Sequence, residues 1–424
     1  MPDAAILTGD IGRIVPGGAR AVERCRELAR PPFSETADGL TRRFLTPAHL
    51  ATRARIADWM VEAGMTVRMD PAGNLVGRHD GSTDSPVLLI GSHIDSVREA
   101  GAFDGPLGVM LGIECVVALE GRQLPFAIEV IAFGDEEGSR FPASMLTSRA
   151  VAGTLDPASL DIADQDGVTL ETALGAAGLT AAAMPSAARP RGSVFAYLEA
   201  HIEQGPVLEA EGLALGVVSG IAAQRRLAVT VAGKPGHAGT NSMALRRDAL
   251  TAAAEAVLAI ERIAREGLEA GTIGLVATVG RMTVLPGATN VVPGRVEFTV
   301  DVRAGLDADR DAASDAILAA LHSIAATRDV GVTVEETQAL AASPCDAALT
   351  DRLADAVAAI GGTPRQLVSG AGHDAMVIAD LCPTAMLFIR CKDGVSHNPA
   401  EDVLSEDADL ALAAMLKFVE GLGA

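Results

Sequence analysis

Two hydrophobic periods alternate along this chain. Short apolar runs at 87–90, 126–133, 194–200 and 384–390, rich in Val, Ile, Leu and Phe, predict strands. Between them the spacing predicts helices over 20–29, 47–63, 106–119 and 346–360. Gly64 supplies the stop of the second helix, and Pro106 stands in the first turn of the third, where a missing N–H costs nothing. Such alternation predicts an α/β layer architecture. FSETADGLTRRF (33–44) reads as an exposed approach to the first domain, and the Ala-rich stretch 156–192 as a loop-and-helix excursion.

Between 221 and 336 the habit changes. A strand at 227–231, a long helix at 243–265, strands at 274–279 and 295–302, a helix at 307–326 and a strand at 330–335 follow in the order βαββαβ, the split-βαβ unit. A compact unit over 221–336, inserted into a discontinuous domain of 1–220 and 337–424, accounts for the whole pattern.

Composition agrees with two domains, since 424 residues exceed one ordinary core. With 34 Lys+Arg against 55 Asp+Glu, a net charge of −21 and no long basic run, the surface repels a phosphate backbone, which argues against nucleic acid. The first ten residues lack a basic region before an apolar stretch, and the apolar run 109–119 is short and broken by Glu114. Neither a signal peptide nor a membrane span is expected. Five scattered cysteines with no two-residue spacing fit a reduced, cytoplasmic protein. Only eight histidines occur, so their positions carry information.

VLLIGSHIDSV stops at Gly91 and presents His93 and Asp95 just past a strand, where open α/β sheets bind ligands. His93 there is either a metal ligand, with Asp95 orienting its imidazole, or a hydrogen-bonded loop histidine. Asp104, before Gly105 and Pro106 in FDGPLGV, stands where an Asp commonly caps a helix. FGDEEGSRF crowds Asp135, Glu136 and Glu137, which repel one another unless cations or protons offset them; a solvated acidic turn is the alternative. AHIEQG places His201, Glu203 and Gln204 at another strand end, and VSHNPAE supplies His397. The repetition decides between these readings, because three histidines follow apolar strands and each sits beside a carboxylate. His, Asp and Glu without Cys suit Zn²⁺ or a similar divalent ion, and a carboxylate bridging among five ligands suits a two-metal site.

GSHIDSV, FDGPLGV, EEGSRF, HIEQG, GHAGT, SGAGHDA and SHNPAE occur in this order between about residues 40 and 415. On these motifs the chain resembles the hydantoinase/carbamoylase amidase family, which includes N-carbamoyl-L-amino-acid hydrolases, allantoate amidohydrolases and β-ureidopropionases and lies within the dinuclear zinc aminoacylase/carboxypeptidase-type metallopeptidases. The resemblance implies a zinc-peptidase-like catalytic domain with a central mixed sheet, plus an inserted ferredoxin-like lid that also dimerises. It implies that His93, Asp104 and His201 bind one metal and Asp104, Glu137 and His397 the other, with Asp104 bridging and Glu136 as general base. Asp95 joins the catalytic set with His237, whose motif GKPGHAGT lies in the lid and serves the partner subunit's site. Asn290 in GATNVVPG and Arg303 in FTVDVRA match lid positions that hold the substrate's carboxylate, while Gln204, Gly372 and His373 line the site. Without the resemblance, Arg303 reads as a surface ion pair.

The activity so implied is hydrolysis of the ureido C–N bond of an N-carbamoyl-L-amino acid, with allantoate or a β-ureido acid as the alternative substrate. An aminoacylase or peptidase of the same superfamily fits less well, since those relatives place an acidic residue where this chain has His201. Two divalent ions are implied, zinc foremost, with manganese, cobalt and nickel able to accept the same donors. The chain departs from the pattern after GHAGT, where Asn241, Ser242 and Met243 replace a common Thr-Pro-Met. His49, His79 and His322 match no motif and read as surface residues.

Overall fold

The computed structural model describes residues 17–82 and 86–423. Residues 1–10, read above as free of a targeting signal, lie outside the described residues. The chain divides into two compact units. The first takes residues up to Ser219 with Cys345–Leu367 and His373–Ala424; the second takes Gly220–Pro344 and Val368–Gly372.

The first unit is built on a mixed sheet in the order Thr66–Met69, Leu75–His79, Ile128–Phe133, Val87–His93, Val194–Ile202, Thr384–Ile389, Leu215–Ile221. Its four central strands run parallel, and the flanking ones are antiparallel. The strands Val87–His93 and Ile128–Phe133 are buried at every position, as expected where helices cover both faces of a sheet. All central strands therefore end at one edge, and His93, His201 and the Asp135–Glu137 turn emerge there.

Helix Pro106–Ala118 packs on this sheet and is itself covered by Gly18–Leu28 and Ser405–Leu422. Glu114 projects from it into the packing and meets Arg20 and Arg24 of the covering helix, with Arg24 at 3.0 Å. The final helix and the Thr66–His79 hairpin were not anticipated. The hairpin's outer strand is an exposed edge whose polar–apolar alternation covers only four residues, TVRM.

Two expectations are corrected. FSETADGLTRRF is not exposed throughout: Leu40, Thr41, Arg42 and Phe44 are buried. The Arg42 guanidinium donates to the carbonyls of Leu28 (2.7 Å), Phe33 and Ile94, tying the segment to the loop that carries Asp95. His49 is not a surface residue. It is fully buried with its ring edge-on to Phe44, and burial beside Arg53 pushes its pKa down to about 3, so it packs as a neutral ring. The 156–192 excursion contains helix Leu170–Ala176 and has its own apolar cluster, joined by Phe44, Phe141 and Leu146.

In the second unit four antiparallel strands pair in the order Gly331–Leu340, Ala223–Ala232, Arg295–Ala304, Val276–Leu285. Helices Ala249–Glu269 and Asp307–Arg328 cover one face, burying Leu227, Val229, Val296, Phe298, Val300 and Val302. The chain order is βαββαβ. The first helix starts six residues later than its apolar pattern suggests. Met243–Leu245 form a separate turn, and the Asp248 carboxylate accepts the N–H groups of Leu250 (2.9 Å) and Thr251 (3.3 Å), which sets the start. No helix among the described residues is long and apolar enough to cross a membrane.

Removing the Glu114 carboxylate leaves Arg24 without its buried partner. Glu114→Ala is expected to cost about 3 kcal/mol of stability, read as a lower denaturation midpoint in urea; an unchanged midpoint would show that Gly18–Leu28 docks on Pro106–Ala118 without help from this ion pair.

Candidate metal centre

Asp104 stands at the middle of the edge where the parallel strands end. The cap reading fails here, because the helix is capped by Gly105 with no side-chain bond, and the Asp104 carboxylate points away from the helix. Its Oδ1 lies 3.1 Å from His201 Nε2 and 3.5 Å from His93 Nε2, and its Oδ2 lies 3.2 Å from His397 Nε2. Gly105 makes this possible. Its φ of +85° is a conformation that side chains avoid, and a Cβ there would stand 2.5 Å from the His93 ring.

Each buried histidine is held by its other nitrogen. His93 Nδ1 donates to the carbonyl of Asp95 (3.1 Å) and His201 Nδ1 to the carbonyl of Ile202 (2.9 Å). A neutral ring so bonded carries its lone pair on Nε2, and the two Nε2 atoms lie 3.5 Å apart beside a carboxylate. Lone pairs converging in this way need a cation or protons among them.

The Asp95 carboxylate stands 3.6 Å from His93 Nδ1, farther than its own carbonyl, and has a second task. Its two oxygens accept the N–H groups of Glu136 (2.9 Å) and Glu137 (3.2 Å), which fixes the acidic turn. The donor atoms of His93, Asp104 and His201 all lie within 4.8 Å of one another, as do those of Asp104, Glu137 and His397 and those of His93, Glu136 and Glu137.

The electrostatics carry the same demand. Burial pushes Glu136 well above the ordinary carboxylate range, with Glu137 adding to the effect and His93 opposing it. Burial and the Asp104 charge raise Glu137 to about 7. Burial opposes a charged His93, yet the Asp104 and Asp95 carboxylates outweigh it and raise the imidazole well above its usual value. The Asp104 hydrogen bond raises the half-exposed His397 to about 9. Surplus negative charge in a water-poor site, together with inward lone pairs, fits a bound cation. The first unit thus holds a His/Asp/Glu cluster fit for a metal ion.

Glu401, Ser396 and Glu199 were not singled out beforehand. Glu401 accepts the N–H groups of Phe103 (2.8 Å) and Asp104 (3.1 Å), and Ser396 Oγ lies between it and Asp104. Below the cluster, the buried Glu199 accepts from Ser92 (2.8 Å), Tyr197 (3.1 Å) and the N–H of Ala375 (2.9 Å). Only the position of Glu199 two residues before His201, on the same face of one strand, hinted at it. Gln204 donates to Asp104 (2.8 Å) from a backbone with φ +56°, and His397 has φ +54°. Both are among eight described non-glycine residues with positive φ, a conformation that side chains other than glycine adopt less often. His373 lies edge-on to His201 with ring centroids 4.4 Å apart, and burial keeps it neutral.

The second unit brings other residues together. Short strands Gly236–His237 and Val291–Val292 pair, and Ala238 donates to the Asn290 carbonyl (2.8 Å), so the exposed His237 and Asn290 are neighbours. Arg303 lies on the sheet face away from the helices and pairs with Asp301 at 2.8 Å, the ion pair its sequence alone suggests. Gly372 ends the 368–372 segment of the same unit.

Residues 89–421 match the model of Peptidase family M20/M25/M40. The chain is 43% identical to an N-carbamoyl-L-amino acid amidohydrolase of Geobacillus stearothermophilus, over 92% of this chain and 95% of that protein. It is 42% identical to a probable allantoate deiminase of Oryza sativa subsp. japonica, over 94% and 87% respectively. The crystal structure of a hydantoinase/carbamoylase family amidase from Burkholderia ambifaria superposes with a TM-score of 0.88 at 38% identity, covering 96% of this chain and 98% of that one. The chain belongs to the hydantoinase/carbamoylase amidases of peptidase family M20/M25/M40. It is a hydrolase, and the M20-type mixed sheet described above is its catalytic scaffold.

Metal uptake by the metal-free amidase should displace protons, because His397 holds one up to about 9 and Glu137 up to about 7. Affinity for a divalent ion is expected to rise with pH through that window and level off above it. Calorimetric titration in buffers of differing ionisation enthalpy counts the protons; an affinity flat from about pH 6 to about pH 9 would contradict the assignment.

Proposed function

We propose that this amidase hydrolyses the ureido C–N bond of N-carbamoyl-L-amino acids, releasing the amino acid, ammonia and CO₂. The observation that carries this reading is the convergence of His93, His201, His397 and Glu137 on Asp104, with the buried Glu136 alongside, in a chain 43% identical to an N-carbamoyl-L-amino acid amidohydrolase. Allantoate is the second candidate substrate, favoured by the 42% identity to a probable allantoate deiminase. Both substrates join a ureido group to a carboxylate.

In this reading His93, Asp104 and His201 hold one divalent ion and Asp104, Glu137 and His397 a second, with Asp104 shared. Bound there, two ions, zinc foremost, would acidify a water and polarise the carbonyl that two nitrogens deactivate. Glu136 takes the proton of the attacking water and delivers it to the leaving nitrogen. Burial makes it hold a proton more readily than an ordinary carboxylate, the direction that general-base uptake requires. Asp95 keeps Glu136 in place through the backbone bond at 2.9 Å.

The second unit acts as lid and dimerisation domain. Its His237 donates to the developing oxyanion in the site of the partner subunit, and Asn290 and Arg303 take the substrate's carboxylate, for which a planar guanidinium supplies two parallel hydrogen bonds. Gln204, Gly372 and His373 line the pocket. Five free cysteines support a cytoplasmic location.

Ammonia release by the metal-loaded enzyme from allantoate, N-carbamoyl-β-alanine and a set of N-carbamoyl L- and D-amino acids tests the reading, with an L-selective carbamoylase the expected outcome. Activity confined to N-acyl amino acids or dipeptides would overturn it. Glu136→Gln is expected to lower kcat about 10²- to 10⁴-fold with metal content unchanged, and full activity in that variant would remove Glu136 from the mechanism.

A further inference from the structure

On the uncovered face of the second unit's sheet, Asp301 sits at the centre of a small ionic network. Asp301 and Arg303 are two apart on one strand and so share a face, and the register sets Arg226 opposite Asp301 and Gln224 opposite Arg303. Asp301 Oδ1 accepts from Arg303 Nε (2.8 Å). Its Oδ2 accepts from Arg303 Nη2 (3.0 Å), Arg226 Nε (3.0 Å) and Gln224 Nε2 (2.9 Å). The Gly370 carbonyl, in the same unit, accepts from Arg303 Nη1.

A guanidinium has five N–H donors in a fixed plane. Asp301 takes two of them and Gly370 one, which leaves one on each terminal nitrogen of Arg303. A long side chain whose Nε edge is clamped in this way has lost most of its rotamer freedom before any ligand arrives, so binding need not order it. Two guanidinium groups face one carboxylate, and although burial opposes its charge, Arg303 and Arg226 hold Asp301 below the ordinary carboxylate range. The network keeps a net positive charge after Asp301 is counted.

We propose that Asp301 is a positioning residue for substrate binding, which clamps the Nε edge of Arg303 and leaves its two remaining donors for the substrate's carboxylate. This rests on the reading of Arg303 as the carboxylate anchor. Asp301 therefore does not compete with the substrate for Arg303; it fixes the plane in which the substrate is met. Without the clamp Arg303 keeps its charge and its bond to Gly370 but no longer a fixed guanidinium plane, so the loss falls on KM for carboxylate-bearing substrates and not on the hydrolytic step.

The test is steady-state kinetics of the metal-loaded enzyme with N-carbamoyl-L-alanine or allantoate, whichever the panel selects, and with its primary carboxamide. Wild type, Asp301→Ala, Asp301→Asn, Arg303→Ala and the Asp301→Ala/Arg303→Ala double variant are compared. Asp301→Ala is expected to raise KM for the carboxylate roughly ten- to hundredfold, with kcat within about threefold and the carboxamide unaffected. Asp301→Asn, which keeps one acceptor and the shape, should lose less. On the Arg303→Ala background, Asp301→Ala should cost nothing further. An equal loss for carboxylate and carboxamide, or an undiminished loss in the double variant, would make Asp301 a purely structural residue and overturn the proposal while leaving Arg303 as anchor. If Arg303→Ala itself does not discriminate carboxylate from carboxamide, the anchor reading falls and the clamp with it.

Discussion

The carboxylate of Asp104 is buried, faces three imidazoles and has two more carboxylates, Glu136 and Glu137, close by. Negative charge gathered out of water is costly unless protons or a cation offset it. The surrounding structure holds this arrangement against its own repulsion. Gly105 lets the backbone pass close to His93, Glu401 anchors the Asp104 N–H, and Asp95 spends both oxygens on the backbone of the Glu136–Glu137 turn. Each contact fixes a donor's position without supplying a counter-charge. The compensation is left to protons on these groups or to a ligand, which is why the cluster is fit for a cation.

The sheet makes this affordable. Parallel strands bury both faces and end together, so residues distant in sequence are delivered to one edge by elements whose positions are set by apolar packing. The acidic layer continues downward through Glu199, whose oxygens are occupied by Ser92, Tyr197 and the Ala375 N–H. A carboxylate so hydrogen-bonded raises the electrostatic demand of the cluster above it and ties three segments of the chain to one point.

The division into two compact units and the clustering of donor residues at the edge were legible because each depends on local signals. Apolar runs mark the central strands, and His93, His201 and His397 stand out since histidine is rare here and each lies next to a carboxylate just past such a run. What escaped lacks a local signature. Glu401 and Glu199 acquire their meaning from partners some 300 and 100 positions away. Arg42 and His49 look like surface residues until the chain folds over them, and Asp104 resembles a helix cap until its side chain is seen to turn from the helix. The start of helix Ala249–Glu269 was misplaced because the apolar Met243 and Leu245, both exposed, mimic its pattern, whereas the decisive residue is the polar Asp248.

Two arrangements of the same residue types face opposite ways in charge. Around Asp104, carboxylates outnumber fixed positive groups, and the imidazoles present lone pairs, so the local excess is negative and selects a cation. Around Asp301, a single carboxylate lies between Arg226 and Arg303, so the excess is positive and a carboxylate is the complementary ligand. The net charge of −21 predicts neither. At contact distance in a partly desolvated site, a few oriented charges outweigh a distant, solvent-screened total. An acidic enzyme can therefore take an anionic substrate, provided that it meets the anion with arginines whose own counter-ion is fixed at the side and leaves their remaining donors unspent.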